Sequence, residues 1–448
     1  MGRKLSHIAP GFIVFLSFAI VILLGTLALM HPLCRVQVIP FIDLLLTATS
    51  ATCVTGHFTM PLDHFTTIGH GVILALIQIG GLGLITLSVF LISLFGNLGL
   101  TTKFMAGQLL DLEESSNIRA IILFIVRLTL CVEFIGAVIF FMVFRNSFST
   151  GYALFLSIFH SVSSFCNAGI TLFDNSLIAY NTNAPLMLTT IGLMLVGGIG
   201  FITWKEIGQY IGSLSKRKRY TFSLHSKIIL YGSAVMILWT TFLFLSIEDK
   251  GALASLSLPY RMLNSLFEAV AFRSTGFLTV PFESLNPATI LVALGVAFIG
   301  SSPFSTGSGI KITTFVVMIA TVQAALAGRM TVRISNRELV PSQVNKALAI
   351  AIVSSCWVIF TIFCLVITEP QATFFEIFVE AISSFTNLGL STGFTGQLST
   401  TGKMFIIVSM IMGRNGAVTI ILALRQLVIG EQKNSVEYSY PEERIMLS

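Results

Sequence analysis

Long apolar segments alternate with short ones along the chain, and the long segments predict membrane-spanning helices. A helix needs about 20 apolar residues to cross the hydrocarbon core of a bilayer. The long segments lie at residues 10–31, 68–96, 120–144, 185–211, 227–247, 288–327, 345–368 and 403–427. The pattern therefore predicts about eight transmembrane helices.

Four shorter apolar pieces lie between the members of successive pairs of long segments. They are residues 40–52, 153–165, 262–272 and 374–385. A piece of roughly 10 to 14 residues is typical of a re-entrant half-helix, which enters the membrane and turns back. Each repeat therefore reads as a helix, a half-helix with a pore loop, and a second helix.

A glycine follows each short piece, and a second glycine mark recurs further along the chain. The first glycines are Gly56, Gly169, Gly276 and Gly389, and the second marks begin 24, 28, 24 and 24 residues later, at Gly80, Gly197, Gly300 and Gly413. A single such glycine could equally serve close helix packing. Four matched copies instead indicate an internal repeat. We predict an all-α membrane protein of four tandem helix/pore-loop/helix units around a pseudo-fourfold pore.

The repeat also predicts the domain boundaries. The first unit is expected at 1–98, the second at 99–219 with a basic cytoplasmic linker, the third at 220–338 with a broken last helix, the fourth at 339–429, and a cytoplasmic tail at 430–448.

Composition and charge place these units in a membrane. The chain is 54% hydrophobic and 10% charged, with a mean hydropathy of +0.90, whereas soluble domains are about 25% charged. Lys and Arg concentrate in alternate connections, including the cluster at 216–219, and such loops face the cytoplasm. We expect a multi-pass protein of the cytoplasmic membrane with both termini inside. For the cluster, contact with anionic lipid is favoured over nucleic acid.

A four-residue segment, here called a glycine string, ends at each of Gly56, Gly169, Gly276 and Gly389. The four strings have the chemistry of an ion filter. Rings of backbone carbonyls can replace the hydration shell of a cation, and glycine permits the backbone angles required. No string contains a carboxylate, which divalent sites usually recruit. The expected ion-binding residues are Cys53, Val54, Thr55 and Gly56; Cys166, Asn167, Ala168 and Gly169; Arg273, Ser274, Thr275 and Gly276; and Thr386, Asn387, Leu388 and Gly389. Potassium at the filter is the only metal expected, with no organic cofactor.

The segment 288–327 is too long for one spanning helix. Its 40 residues would reach roughly 60 Å, about twice the hydrocarbon thickness. Irregular backbone at membrane depth is tolerated where it lines water or lies within protein. A polar loop inside the membrane is therefore predicted at Gly300, Ser301, Ser302, Ser305, Thr306, Gly307, Ser308 and Gly309.

Charged residues such as Arg414 and Glu133 fall within predicted spans. A cation such as Arg414 is costly there unless it faces water or a partner. We expect Arg414 to form a positive barrier in the pore or to bind carbonyls of the 300–309 loop, with snorkelling to the cytoplasmic surface as the alternative. For Glu133, a structural role is favoured over a proton relay, because no intramembrane His or Asp chain accompanies it.

The chain resembles the ion-translocating subunits of the Trk/Ktr/HKT superfamily of potassium transporters, specifically the Ktr type. The resemblance rests on the four units, on Gln78 to Gly83, on Ser308 to Lys311, and on the pair Gly413 and Arg414. The chain starts directly at its first unit, which favours Ktr over Trk. Cys53 departs from the family, where a hydroxyl residue is more usual. The resemblance implies that the loop at 300–310, Lys311 and Arg414 form a gate beneath the filter.

The expected function is potassium uptake through a selective, gated, channel-like pore. The resemblance further implies a homodimer and a cytosolic nucleotide-binding ring that responds to ATP or ADP. The alternative is a symporter coupled to Na⁺ or H⁺, with Na⁺ as co-ion or activator. The sequence contains no phosphate-binding glycine-lysine motif, nucleophile elbow or HExxH helix, so we do not expect an enzyme.

Overall fold

The computed structural model describes residues 10–83, 118–215, 217 and 220–416, and helices dominate them. The fourteen helices of this described part are α1 (Pro10–Met30), α2 (Phe41–Cys53), α3 (Thr67–Leu82), α4 (Ile118–Phe144), α5 (Thr150–Phe165), α6 (Ala184–Ile199), α7 (Phe201–Ser215), α8 (Leu224–Glu248), α9 (Leu258–Ala271), α10 (Pro287–Ile299), α11 (Ile312–Leu326), α12 (Pro341–Thr368), α13 (Phe374–Thr386) and α14 (Thr400–Asn415). The predicted tail at 430–448, the predicted boundary at 98 and 99, and most of the basic cluster at 216–219 lie outside the described residues.

The four predicted half-helices are α2, α5, α9 and α13, with 13, 16, 14 and 13 residues. Aromatic side chains anchor three of them in the interior, where Phe159, Phe165, Phe267 and Phe385 are buried. Of the four half-helices, α13 is the one that begins with a side-chain cap. At α13, Thr373 and Glu376 form a reciprocal capping box, which satisfies two backbone donors that a helix start leaves unpaired.

Contacts between the repeats follow one rule around the molecule. The last helix of each unit packs against the half-helix of the next unit, giving the pairs α3 with α5, α6 with α9, and α10 with α13. The pair α14 with α2 then joins the fourth unit to the first. The described contacts therefore arrange the four repeats in a closed ring.

Some of the predicted spans are not single helices in the described residues. Within the described ranges, three helices are long and apolar enough to cross a membrane alone: α4 counted from Ala120, α8 and α12. Helices α6 and α7 pass that test only together, and they are bent by 101° at Gly200. The predicted continuous helix at 185–211 is therefore wrong, because Gly200 takes a positive φ of 94° that ends α6. The total of eight spans stays a prediction.

The same kind of break recurs in the other units. Gly83 and Gly416 end α3 and α14 with φ angles of 78° and 81°, and the predicted spans 68–96 and 403–427 continue beyond them into residues that the structure does not describe. In the third unit, Gly300 ends α10 with a φ of 73°. The break predicted within 288–327 is confirmed, since α11 begins only at Ile312.

A small β-hairpin departs from the all-α prediction. Strands Arg333–Ile334 and Arg337–Glu338 pair antiparallel between α11 and α12. Ser335 and Asn336 turn the chain with φ angles of 47° and 63°, as both central residues of a type I′ turn require. A two-residue strand is too short for an alternating sequence pattern to reveal.

Candidate ion pathway

The four filter glycines meet in one ring. All have left-handed φ angles, of 91° at Gly56, 66° at Gly169, 69° at Gly276 and 86° at Gly389. Each glycine faces a backbone carbonyl of a neighbouring string so closely that an added Cβ would overlap its oxygen. The facing pairs are Gly56 with Ala168, Gly169 with Thr275, Gly276 with Leu388, and Gly389 with Thr55. These contacts run once around the ring and close it, and a side chain at any of the four positions would force the neighbouring backbone to shift.

Three strings also turn in the left-handed region two residues before their glycine. The φ angles are 58° at Val54, 59° at Asn167 and 52° at Asn387. Asparagine tolerates this conformation, whereas a β-branched residue is a true outlier there. Backbone strain of about 1–3 kcal/mol at such a residue persists only when the surroundings enforce it. Val54 thus lies in a tightly constrained turn, which the residue types of this segment did not predict.

The second glycine marks are sites of close approach. An added Cβ at Gly80 would overlap the Thr52 carbonyl oxygen, and Gly197 and Gly413 stand in the same relation to Phe165 and Phe385. Each of these three marks therefore lets the last helix of a unit touch the end of its own half-helix, whereas Gly300 faces the Ser308 carbonyl of its own loop. Close packing, weighed above as the alternative for single glycines, is the role of these second glycines.

Polar side chains of the strings bond to one another across unit boundaries. Asn167 Oδ1 accepts from Thr275 Oγ1 at 2.7 Å, which joins the second string to the third. Asn387 Nδ2 donates to Thr55 Oγ1 at 2.7 Å, which joins the fourth string to the first. These side chains are buried and therefore brace the strings against each other.

Three of the expected ion-binding residues turn their side chains to protein. Arg273 Nη2 donates to Ser233 Oγ on α8 at 3.1 Å. Cys166 Sγ packs against Gly81, where an added Cβ would collide with it, and Cys53 is fully buried. Any contribution of Arg273 or Cys166 to ion binding would therefore rest on the backbone, because their side chains contact other helices.

The loop at 300–309 is built into the space beside the strings. Ser301 N donates to Ser308 O at 3.1 Å and closes the loop on itself. Thr306 N donates to Gly197 O at 3.1 Å, and Thr306 Oγ1 accepts from Asn167 Nδ2 at 2.7 Å. Ser308 N donates to Ser274 Oγ at 2.9 Å. The loop of the third unit thus contacts both the second and the third strings.

The two cationic residues predicted for the gate, Arg414 and Lys311, bind this loop through their side chains. Arg414 Nη1 donates to Thr306 O, and Arg414 Nη2 donates to Gly80 O at 2.5 Å. Lys311 Nζ donates to Gly307 O at 2.6 Å. Of the roles considered for Arg414, the structure has the one that binds loop carbonyls, and not snorkelling. The guanidinium thereby links the loop to the first unit.

Sequence reasoning missed an ion pair between the first and fourth units. Lys403 Nζ lies 2.6 Å from Asp43 Oδ1, with the side chains 12% and 8% exposed. Lys403 is in the first turn of α14 and Asp43 in the first turn of α2. A lone lysine in a polar run at 399–403 offered no signal of a partner so distant in sequence.

Glu133 lies behind the second string and belongs to none of the four strings. Its Oε1 lies 4.0 Å from Cys166 Sγ, and Glu133 and Gln78 line a cavity of about 570 Å³ that is otherwise mainly apolar. The contact with Cys166 places the carboxyl group behind the second string. The structural role expected for Glu133 stays a prediction.

The chain that forms this closed ring matches a family of cation transport proteins. The family model described as "TrkH: Cation transport protein" matches residues 10–438, and the chain belongs to this family. The predicted resemblance to Trk/Ktr proteins is confirmed, and the relatives are ion transporters and not enzymes.

Full-length relatives support the same assignment. The chain is 33% identical to the Ktr system potassium uptake protein B of Bacillus subtilis over 446 residues, covering 99% of this chain and 97% of the relative. It is 32% identical to the potassium/sodium uptake protein NtpJ of Enterococcus hirae over 413 residues, covering 91% and 90%. The crystal structure of the potassium transporter TrkH from Vibrio parahaemolyticus has a TM-score of 0.73 at 19% identity, covering 92% and 84%.

Proposed function

We propose that the chain takes up potassium across the cytoplasmic membrane through a selective pore centred on the four glycine strings. The observation that supports this most directly is the closed ring, in which each filter glycine faces a carbonyl of another string. Carbonyl oxygens suit a dehydrated monovalent cation. The relatives are themselves named as potassium, or potassium and sodium, uptake proteins.

The loop at 300–309 is the proposed gate. It contacts the second and third strings through Thr306 and Ser308, while Lys311 and Arg414 bind its carbonyls. Movement of the loop would break these hydrogen bonds. The two donated by Lys311 and Arg414 involve a charged donor and are worth more than neutral ones. A gate held in this way stays closed until another interaction compensates for the lost contacts.

We further propose that a separate cytosolic regulatory subunit supplies that interaction. The Bacillus and Vibrio relatives are named as components of a Ktr system, in keeping with a membrane subunit that works with another protein. A homodimer, a nucleotide-binding ring responding to ATP or ADP, and cytoplasmic termini belong to the same proposal. Basic connections such as the hairpin of Arg333–Ile334 and Arg337–Glu338 are candidate docking surfaces.

A symporter coupled to Na⁺ or H⁺ is the second candidate. One relative is named a potassium/sodium uptake protein, and the buried Glu133 is a possible carrier of a co-transported proton. The two candidates differ in one respect, since symport requires a second ion for every transport cycle whereas a pore does not.

Uptake of radioactive rubidium into proteoliposomes under an imposed membrane potential tests these candidates. The assay compares wild type with Gly56→Ser, each with and without Na⁺ and a pH gradient. Gly192→Ser is the matched control, because a Cβ at Gly192 meets nothing within 4 Å. The pore predicts uptake without a second ion and a lower preference for potassium over sodium only in Gly56→Ser. Strict dependence on Na⁺ or H⁺ supports the symporter, and no cation flux with a cytosolic partner present refutes both.

A further inference from the structure

A buried histidine stands directly behind the filter. His57 follows Gly56 in the chain and is 1% exposed. Its Nε2 lies 3.0 Å from Glu380 Oε2 on α13, and both side chains are fully buried. Neither imidazole nitrogen has hydrogen-bond geometry to a partner, so the observed contact is one of close packing between the ring and the carboxyl group. It joins the first string to the half-helix of the fourth unit.

This contact occupies a position that recurs in the ring. Glu380 lies nine residues before Gly389, and His160 lies nine residues before Gly169. The ring of His160 packs against Phe277, the residue that follows Gly276, with centroids 5.2 Å apart. At both junctions the residue after a filter glycine therefore packs on the half-helix of the preceding unit. Between the second and third units the contact is between rings, whereas between the fourth and first it contains a carboxylate.

The carboxylate of Glu380 also binds its own loop. Ser391 Oγ donates to Oε1, and Thr395 Oγ1 donates to Oε2 at 2.8 Å. Ser391 lies two residues after Gly389. Glu380 therefore contacts the segments that follow two filter glycines, Gly56 and Gly389, which are neighbours in the ring.

We propose that His57 and Glu380 are positioning residues that set the preference for potassium over sodium. The inference rests on the proposed function of the glycine ring. Selectivity in a carbonyl cage depends on the number, spacing and stiffness of its oxygens. Because Glu380 contacts both segments from behind, it limits how far the first and fourth strings can separate. Removing the imidazole leaves the buried Glu380 carboxyl group without the ring that packs against it. The junction between the first and fourth units is then looser.

The test measures rubidium and sodium uptake into proteoliposomes by the full chain, normalised to the monodisperse protein recovered. His57→Leu should lower the rubidium-to-sodium ratio by about five- to tenfold, the scale of a modest coupling between sites. His57→Gln, which keeps a polar side chain of similar reach against Glu380, should retain most of the ratio. His64→Leu is the matched control, since His64 lies in the same outer loop but is 33% exposed and should leave the ratio unchanged.

Several outcomes would overturn the proposal. An unchanged ratio in His57→Leu, with both fluxes reduced equally, would mean that the pair only supports folding. If His57→Leu does not fold, Glu380→Gln, which keeps shape and removes charge, decides: a wild-type ratio overturns the proposal and a lowered ratio supports it. Failure of the pore itself is separate, because wild type would then show no potential-driven rubidium uptake.

Discussion

Two glycines in α6 predict opposite responses to the same substitution. Gly192 and Gly197 are five residues apart on one helix. A Cβ at Gly192 meets nothing within 4 Å, whereas one at Gly197 would overlap the Phe165 carbonyl oxygen and approach Thr306 Oγ1 at 2.8 Å. Gly192→Ala therefore changes only the helix, while Gly197→Ala forces α6 away from the end of α5.

The size of the difference follows from these contacts. Alanine in place of glycine favours a helix by at most about 1 kcal/mol. Inserting a methyl group into a packed site typically costs 1–3 kcal/mol, and a backbone oxygen cannot rotate away as a side chain can. Both positions lie in α6, so the helix term is shared, and we expect Gly197→Ala to be less stable than Gly192→Ala by about 1–3 kcal/mol. Uptake should also fall in Gly197→Ala alone, since Phe165 O accepts a hydrogen bond from Thr306 Oγ1 of the proposed gate.

Thermal unfolding of both variants in one detergent, alongside rubidium uptake, measures the two effects. The expected order of melting temperature is Gly192→Ala at or above wild type, and Gly197→Ala clearly below. Equal melting temperatures for the two variants would refute the argument, because they would show that α6 and α5 do not approach as closely as Gly197 requires.

Four further substitutions test the filter, the gate and the ion pair between the first and fourth units. Arg414→Gln removes the charge that binds Thr306 O, so uptake without any regulatory subunit should rise several-fold; unchanged uptake would exclude Arg414 as a restraint on the gate. Val54→Asn should raise the free energy of unfolding by about 1 kcal/mol, because asparagine tolerates the left-handed backbone better than valine. A melting temperature below that of wild type would contradict this. Lys403→Met and Asp43→Asn should each destabilise by about 3–5 kcal/mol, and the double variant by less than their sum; strict additivity would mean that the pair does not interact.

The repeat was predictable because glycine has few substitutes where backbones meet. Glycines equivalent to Gly56 and Gly80 recur in later units for steric reasons, so their spacing predicted where the half-helices and the close contacts lie. The break at Gly200 was not predictable from hydropathy. The apolar end of α6 lies directly before it, and the apolar first residues of α7 lie directly after it. An apolar run records burial in lipid or protein and says nothing of chain direction, which here turns by 101°.

Polar partners in this fold were hidden by distance along the chain. Asn387 and Thr55 bond across 332 positions, and Lys403 and Asp43 across 360. Composition suggested that Asn387 belongs to the filter, but not that it braces another string. His57 carried no sequence signal of a partner and is buried against Glu380, because the ring brings the first and fourth units together.

Four copies of one unit do not make four equivalent positions. The loop at 300–309 comes from the third unit, yet it binds Asn167 of the second, and Arg414 of the fourth ties it to Gly80 of the first. Movement of that loop must therefore alter contacts in all four units, including the hydrogen bond that Asn167 also shares with Thr275. If the glycine ring is the filter, the gate and the filter are mechanically joined. Thr306→Val, which removes the hydroxyl between them, should then change the rubidium-to-sodium ratio as well as the rate, and a change in rate alone would show that the two act independently.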